Sequence, residues 1–307
     1  MPAQRKGVQR LFRGRQIQLT LTASRAIESH RALPLFVDVF AEQLVLASGD
    51  PYALALLEST RDDSPHDAAA DRTIFIARCR ALMTRHYDDS LQAAAQSGVR
   101  QVVLLAGGLD TRAYRLDWPD DTTLFEVDYP ELLDFKEHVL AEAGAAHRTT
   151  RRQVGTFLSG PWQSDLTAAG FDPDLPTAWL AEALISHLPG PSHDALFERV
   201  IELSALGSTI ATDTDGISPS GQSWADVRDA LEAEAFNASE LMRAHTHEER
   251  TRSSEWLSGH GWLAQTTTGH ELADRYGEHL SGELEPYAEE FAKRRFLTAT
   301  LPVSYLH

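Results

Sequence analysis

Two glycines and one aspartate have the spacing that best fits a nucleotide site. Gly107 and Gly108 end a continuous apolar run, and Asp128 ends a second run twenty positions after Gly108. In a doubly wound sheet, a glycine turn after the first strand lets a ligand approach the backbone closely. An acid after the second strand accepts hydrogen bonds from the ribose hydroxyls. A third glycine, which would pack a pyrophosphate against a helix, is missing. The spacing favours an adenosine ligand without a diphosphate over NAD or FAD, and a plain strand-to-helix turn is the alternative.

The elements that must position these residues follow an alternating pattern. Apolar runs of β-forming residues predict parallel strands at 101–105, 122–127, 177–180 and 208–212, with helices at 130–140 and 192–205. Strands that alternate with helices predict a parallel α/β sheet. Helical spacing of apolar residues at 16–46 and 68–96 predicts a helical section before the sheet. Two late apolar runs, 262–268 and 296–301, are candidates for an antiparallel hairpin at one sheet edge.

Composition and charge exclude several classes of protein. The chain has 307 residues, and 28 lysines and arginines against 45 acidic residues give a net charge of −17, which disfavours nucleic acid as a partner. No stretch approaches the roughly 18 consecutive apolar residues of a membrane span, and no signal peptide is indicated. The single cysteine, Cys79, excludes an internal disulfide and a thiolate zinc site. We therefore expect a cytoplasmic protein with no membrane partner.

A long motif resembles a known family. The run VVLLAGGLDTRAYRL at 102–116, followed by FEVDYP at 125–130, is similar to the leucine carboxyl methyltransferase family, and more closely to its actinobacterial branch of candidate S-adenosylmethionine-dependent methyltransferases. Further similar segments occur in the family's order at 26–29, 34–35, 169–173, 255–257 and 275–277. The resemblance implies an α/β, doubly wound, Rossmann-like class I methyltransferase sheet, with an N-terminal helical cap and an insertion before the C-terminal strands.

This resemblance divides one domain, 1–307, into four parts. They are a helical cap region (1–98), a cofactor-binding core (99–212), an insertion (213–260) and the C-terminal strands (261–307).

The resemblance also implies which residues bind S-adenosyl-L-methionine. The family's glycine-rich turn, near the methionine moiety of the cofactor, falls on Ala106, Gly107, Gly108 and Asp110. Its ribose-binding acid falls on Asp128, and a further acid falls on Glu182. A basic residue on the preceding helix holds the cofactor carboxylate in this family; Arg85 is the best candidate, with Arg80 or Arg78 as alternatives.

Three positions depart from the family pattern. Ala106 replaces the first glycine of the turn. An alanine would be strained there if the position needs a positive φ, and it would be tolerated if the position is only a close approach. Phe157 and Leu158 occupy the place of an Asp-Leu pair that contacts adenine, so Phe157 can only stack on the base. The segment at 183–189 stands where the family has Gly-Leu-Leu-Met-Tyr-Leu-Pro, which puts His187 in place of a phenol.

We predict a methyltransferase that acts on an oxygen of a small molecule, most simply a carboxylate of a specialised metabolite. A carboxylate acceptor needs no base, whereas a phenol or alcohol does, and His187 is the candidate to position or deprotonate the acceptor. A histidine that merely fills the loop before Pro189 is the alternative. The chemistry requires no metal. Two rivals are a methyltransferase fold that catalyses a cyclisation or elimination with a degenerate cofactor site, and a non-catalytic ligand-binding protein. The oligomeric state is open.

Overall fold

The computed structural model describes residues 16–61, 68–185, 188, 190–213, 252–280 and 285–303. The helices are α1 (Gln16–Ser29), α2 (Ala41–Ser48), α3 (Pro51–Glu58), α4 (Ala68–Gln96), α5 (Arg112–Arg115), α6 (Pro130–Glu142), α7 (Trp162–Ala168), α8 (Gly190–Glu202), α9 (Ser253–Gly259), α10 (Gly269–Arg275) and α11 (Glu285–Lys293). The strands are β1 (Gln101–Leu105), β2 (Thr123–Asp128), β3 (Thr150–Gly155), β4 (Thr177–Ala181), β5 (Thr209–Asp213), β6 (Leu263–Thr268) and β7 (Arg295–Thr300).

In the described part of the chain the strands form one sheet in the order β3-β2-β1-β4-β5-β7-β6. The first five of these are parallel, and β7 runs antiparallel to both β5 and β6. The strand order reverses between β1 and β4. Ligands of doubly wound sheets bind beyond the carboxyl ends of the strands at such a reversal. The predicted doubly wound sheet is confirmed, and its switch point lies where the Gly107-Gly108 turn leaves β1.

Alternate residues of β1 face two separate hydrophobic layers. Val102 and Leu104 pack with the helices of the cap, and Val103 and Leu105 pack on the opposite face of the sheet. This alternation is the geometry of a strand whose two faces are both covered. All five residues of β1 are buried, which explains why the strand reads as an uninterrupted apolar run.

Strand β3 is the strand that the apolar pattern missed. Its sequence is TRRQVG, and Val154 is its one buried residue. Because β3 lies at the edge of the sheet, its side chains need not be apolar. Arg151 still reaches inward, where it pairs with Glu126 of β2 at 2.6 Å.

The late strands agree with the predicted antiparallel pair at one edge, with one difference. Strand β7 lies between β5 and β6, and the two antiparallel strands are joined through α10 and α11 rather than by a tight turn. The predicted helical section 16–46 contains α1 and α2, with a non-helical segment between them. Most of the predicted insertion, 214–251, lies outside the described residues.

Within the described ranges, no helix has both the length and the apolarity needed to cross a membrane.

Candidate active site

The turn after β1 is held tightly against β2. The N–H of Ala106 donates to the carbonyl of Val127 at 2.9 Å, and the N–H of Asp110 donates to the carbonyl of Gly107 at 2.9 Å. A Cβ at Gly107 would lie 3.1 Å from the Cβ of Leu104, so a larger residue would crowd the Leu104 side chain. The turn therefore brings its backbone close to the switch point.

Asp128 lies directly beside this turn. Its side chain is buried, its Oδ2 accepts the N–H of Gly108 at 2.6 Å, and its Oδ1 accepts the N–H of Tyr129 at 2.7 Å. The sequence spacing assigned Gly108 and Asp128 to one nucleotide site, and the structure brings the two residues into direct contact. A carboxylate accepts about four hydrogen bonds in all, so the two backbone donors orient it without exhausting its capacity.

The side chain of Gln18, from α1, covers the same spot. A Cβ built on Gly108 would lie 2.6–2.8 Å from the carboxamide atoms of Gln18. The Nε2 of Gln18 is 3.4 Å from Oδ2 of Asp128. Sequence reasoning did not single out Gln18, because nothing in its local pattern marks it.

Arg112 joins the two other predicted acids, Asp110 and Glu182. Its Nη1 donates to Glu182 at 2.8 Å and also contacts Asp110, while its Nε donates to Asp88 of α4 at 2.7 Å. Burial opposes the charge of Arg112, but the three carboxylates outweigh it and raise the Arg112 pKa well above its usual value. Burial likewise opposes ionisation of Asp110, yet the charge of Arg112 holds the pKa of that carboxyl below its usual value. Both groups are therefore charged at neutral pH.

A lysine on α6 contacts the backbone of the turn that follows β1. The Nζ of Lys136 donates to the carbonyl of Asp110 at 2.8 Å and pairs with Glu126 at 2.9 Å. Burial lowers the Lys136 pKa, and Glu126 opposes that effect. Neither Arg112 nor Lys136 was a predicted site residue. Arg112 lies inside the motif 102–116, however, and its position two residues after Asp110 was a usable signal.

Phe157 and Leu158 follow β3 at the same end of the sheet. The ring of Phe157 is half-exposed and makes an edge contact with the ring of Tyr129, with centroids 4.8 Å apart. Leu158 packs on the hydrophobic layer of the opposite face. Since Tyr129 follows Asp128 directly, the exposed aromatic ring lies next to the acid.

The three arginines considered for the cofactor carboxylate have different partners. Arg85 pairs with Asp89 at 2.9 Å and donates to the carbonyl of Leu35 at 2.7 Å. Arg78 pairs with Glu278, and Arg80 donates to the hydroxyl of Ser24 at 3.2 Å. The structure brings none of the three to the turn at 106–110 through a direct hydrogen bond.

Residues 18–201 match the family model described as leucine carboxyl methyltransferase. A relative from Mycobacteroides abscessus, named as a candidate S-adenosyl-L-methionine-dependent methyltransferase, is 38% identical over 286 residues, which cover 92% of this chain and 91% of the relative. A relative from Rhodococcus jostii with the same description is 39% identical over 282 residues, which cover 92% of this chain and 93% of the relative. The chain belongs to the leucine carboxyl methyltransferase family.

A solved structure supports the fold independently. The crystal structure of a candidate methyltransferase from Thermobifida fusca superposes with a TM-score of 0.51 at 14% identity, and covers 83% of this chain and 90% of that one. At this identity the likeness concerns the fold alone. The fold predicted from the sequence, a class I methyltransferase sheet, is confirmed.

The departures from the leucine carboxyl methyltransferase pattern now have a structural setting. Ala106 has a φ of 53° and Ala183 has a φ of 51°, so both alanines occupy the left-handed region that favours glycine. The question that the sequence left open at Ala106 is thereby answered: the position does require a positive φ. His187 lies outside the described residues, and its role stays a prediction.

Proposed function

We propose that this chain transfers the methyl group of S-adenosyl-L-methionine to an oxygen of a small molecule, and that the acceptor oxygen belongs to a carboxylate. Methyl transfer with this donor is the chemistry named for the relatives that cover nine-tenths of the chain. The observation that carries the assignment to this chain is the contact between the N–H of Gly108 and the carboxylate of Asp128. It places an oriented acid beside a backbone turn at the switch point of the sheet.

The residues present fit the cofactor. Asp128 would accept the ribose hydroxyls, and the turn at 106–108 would lie against the methionine part. Asp110 and Glu182, held by Arg112, would face the ammonium group, because these two carboxylates together carry one more charge than the guanidinium between them. The half-exposed ring of Phe157 would stack on the adenine. When bound, the cofactor supplies an electrophilic methyl group on a sulfonium.

Methyl transfer is a displacement, so the protein must align the acceptor oxygen with the methyl group and keep water away. A carboxylate is ionised at neutral pH and needs no base. We propose that His187 positions that acceptor, or deprotonates it if the true acceptor is a phenol or alcohol. Arg85 remains our candidate for the cofactor carboxylate, with Arg80 or Arg78 as the alternatives. Arg80 donates to a neutral group, the hydroxyl of Ser24.

The nature of the acceptor is tested by the stability of the product. The protein is incubated with methyl-labelled S-adenosyl-L-methionine and a panel of small carboxylic acids, phenols and alcohols. We expect S-adenosylhomocysteine to form with an acid, and hydroxide to release the label as volatile methanol, because esters hydrolyse and ethers do not. A base-stable methylated product contradicts the carboxylate assignment. Substrate conversion without S-adenosylhomocysteine contradicts methyl transfer itself.

The role of Asp128 is tested by Asp128→Asn, which removes the charge and keeps the shape. A hydrogen bond to a charged group contributes about 1.5–3 kcal/mol, so we expect the dissociation constant of S-adenosylhomocysteine to rise by roughly 10- to 100-fold in titration calorimetry. Asp134→Asn, on the exposed side of α6, is the matched control and should bind as the unaltered protein does. Equal affinities for both variants contradict the proposed site.

A further inference from the structure

Gln18 extends from the cap into the proposed cofactor site. Its carboxamide lies over Gly108 so closely that a Cβ there would be within 2.8 Å of three of its atoms. Its Nε2 approaches Oδ2 of Asp128 at 3.4 Å, which is long for a hydrogen bond between these atom types. The side chain thus borders the same carboxylate oxygen that the N–H of Gly108 holds at 2.6 Å.

Among the described residues, none serves as a donor to the oxygen of this carboxamide. The Oε1 of Gln18 is buried and accepts no hydrogen bond from any residue that the structure describes. Leaving a buried acceptor unsatisfied costs about 1–3 kcal/mol. An orphaned acceptor beside an oriented carboxylate marks the place of a hydroxyl donor.

The position of Gln18 is fixed by contacts farther along α1. Nη2 of Arg25 donates to the carbonyl of Leu109 at 2.7 Å, and Nε of Arg25 pairs with Asp38 at 2.9 Å. Asp38 in turn accepts the hydroxyl of Thr111 at 2.7 Å. These hydrogen bonds link α1 to both ends of the segment 109–111. The helix that carries Gln18 is therefore fixed relative to the turn.

We propose that Gln18 is a positioning residue for the ribose, whose Oε1 accepts one sugar hydroxyl while Asp128 accepts the diol from the other side. This inference rests on the proposed ribose role of Asp128. It makes the helical cap, through α1, part of the cofactor site. A ribose hydroxyl both donates and accepts, so it can satisfy the orphaned Oε1 and also accept from Nε2 after a small rotation of the amide.

Binding of S-adenosylhomocysteine and of its 2′-deoxy and 3′-deoxy analogues to the full chain tests the proposal by calorimetry. A neutral hydrogen bond contributes about 0.5–1.5 kcal/mol, so Gln18→Ala should weaken binding of the parent compound by roughly 2- to 12-fold. It should also reduce the preference for the parent over at least one deoxy analogue by a similar factor. Gln18→Met, which keeps the length without the amide, should behave like Gln18→Ala.

Gln92→Ala is the matched control, because Gln92 donates to a backbone carbonyl, that of Asp117, on an exposed part of α4. Three results overturn the proposal: unchanged affinity in both Gln18 variants, tighter binding, or weaker binding with an undiminished preference for the parent compound. Failure of the proposed function is distinguishable from these. In that case the unaltered protein itself would bind the deoxy analogues as tightly as the parent compound.

Discussion

Two alanines adopt left-handed backbone where strands β1 and β4 lead into the site. An L-residue with a Cβ is disfavoured there by about 1–2 kcal/mol, whereas glycine is not. Ala106 donates its N–H to Val127, which fixes the turn and with it the positive φ. The family pattern that the sequence resembles implies glycine at both positions, where glycine would carry no such strain.

We predict that Ala106→Gly and Ala183→Gly each raise the free energy of unfolding by about 1 kcal/mol, because glycine relieves the left-handed strain. Urea denaturation followed by circular dichroism measures the change. Ala143→Gly is the matched control. Ala143 directly follows α6 and has an ordinary helical φ of −77°, so glycine there should destabilise the protein by about 0.5–1 kcal/mol. The prediction is wrong if all three substitutions destabilise.

His86 is a buried base in the core between α4 and β7. Its ring lies 5.6 Å from Tyr87 and 6.1 Å from Phe296, and its Nε2 makes no hydrogen bond to the residues described. Burial, aided by the charge of Arg275, lowers its pKa to about 4 from the ordinary value near 6.5. The folded state therefore holds this histidine neutral over a range in which the unfolded chain protonates it.

We predict that this difference makes stability pH-dependent. The unfolded state binds the extra proton, so the free energy of unfolding falls as the pH drops below about 6.5 and the loss from this group levels off near pH 4. At pH 5 the loss in the free energy of unfolding from this group is about 2 kcal/mol. His86→Phe should retain more of its pH 7.5 stability at pH 5 than the unaltered protein, as urea titrations at both pH values would measure. If the two proteins lost the same free energy of unfolding between pH 7.5 and pH 5, groups other than His86 would cause the acid sensitivity.

At the scale of elements, the sheet was predictable where burial covers both faces of a strand. Strands β1, β2, β4 and β5 carry the apolar runs by which the sequence predicted them. Strand β3 was not predicted from an apolar run, because it lies at the edge of the sheet and its side chains are mostly polar. The proximity of Gly108 and Asp128 was predictable for the same reason, since the ends of adjacent parallel strands meet. The approach of Gln18 was not, because a contact between residues 110 positions apart depends on how the cap docks.

The cap docks on the sheet partly through a buried ionic network. Asp88 of α4 accepts from Arg112 at 2.7 Å and from Arg115 at 2.6 Å, both on α5. Arg112 continues the network to Glu182 after β4. The side chain of Arg112 is 2% exposed, so little water could solvate its carboxylate partners if the arginine were removed.

We predict that Arg112→Met lowers the free energy of unfolding by about 3–5 kcal/mol, because it leaves buried carboxylates without their counter-charge. Arg148→Met is the matched control. Its partner Asp117 is exposed, and surface pairs contribute about 0–1 kcal/mol. Urea unfolding at pH 7.5 measures both. A loss below 1 kcal/mol for Arg112→Met would mean that Arg115 alone neutralises the cluster.

At the scale of the whole molecule, the proposed cofactor site is bordered by both the sheet and the cap. Asp128 and Gly108 follow strands of the sheet, and Gln18 reaches them from α1, while Arg25 of α1 contacts the neighbouring Leu109. All six tryptophans lie after residue 98, whereas helices occur both in the cap and in the rest of the chain. Tryptophan fluorescence therefore reports on the part outside the cap, and helical circular dichroism reports on both parts.

We predict that S-adenosylhomocysteine at 100 times its dissociation constant stabilises both parts together. A ligand that binds only the folded state at that concentration adds about 2.7 kcal/mol, which corresponds to a rise in Tm of roughly 4 °C for a chain of this size. The fluorescence and dichroism transitions should rise by the same amount, because the ligand is held from both sides. Asp128→Asn should show less of the shift at the same ligand concentration. If part of the dichroism transition stayed at its ligand-free temperature while the fluorescence transition rose, the ligand would not stabilise the cap, which would contradict the contribution of α1 to the site.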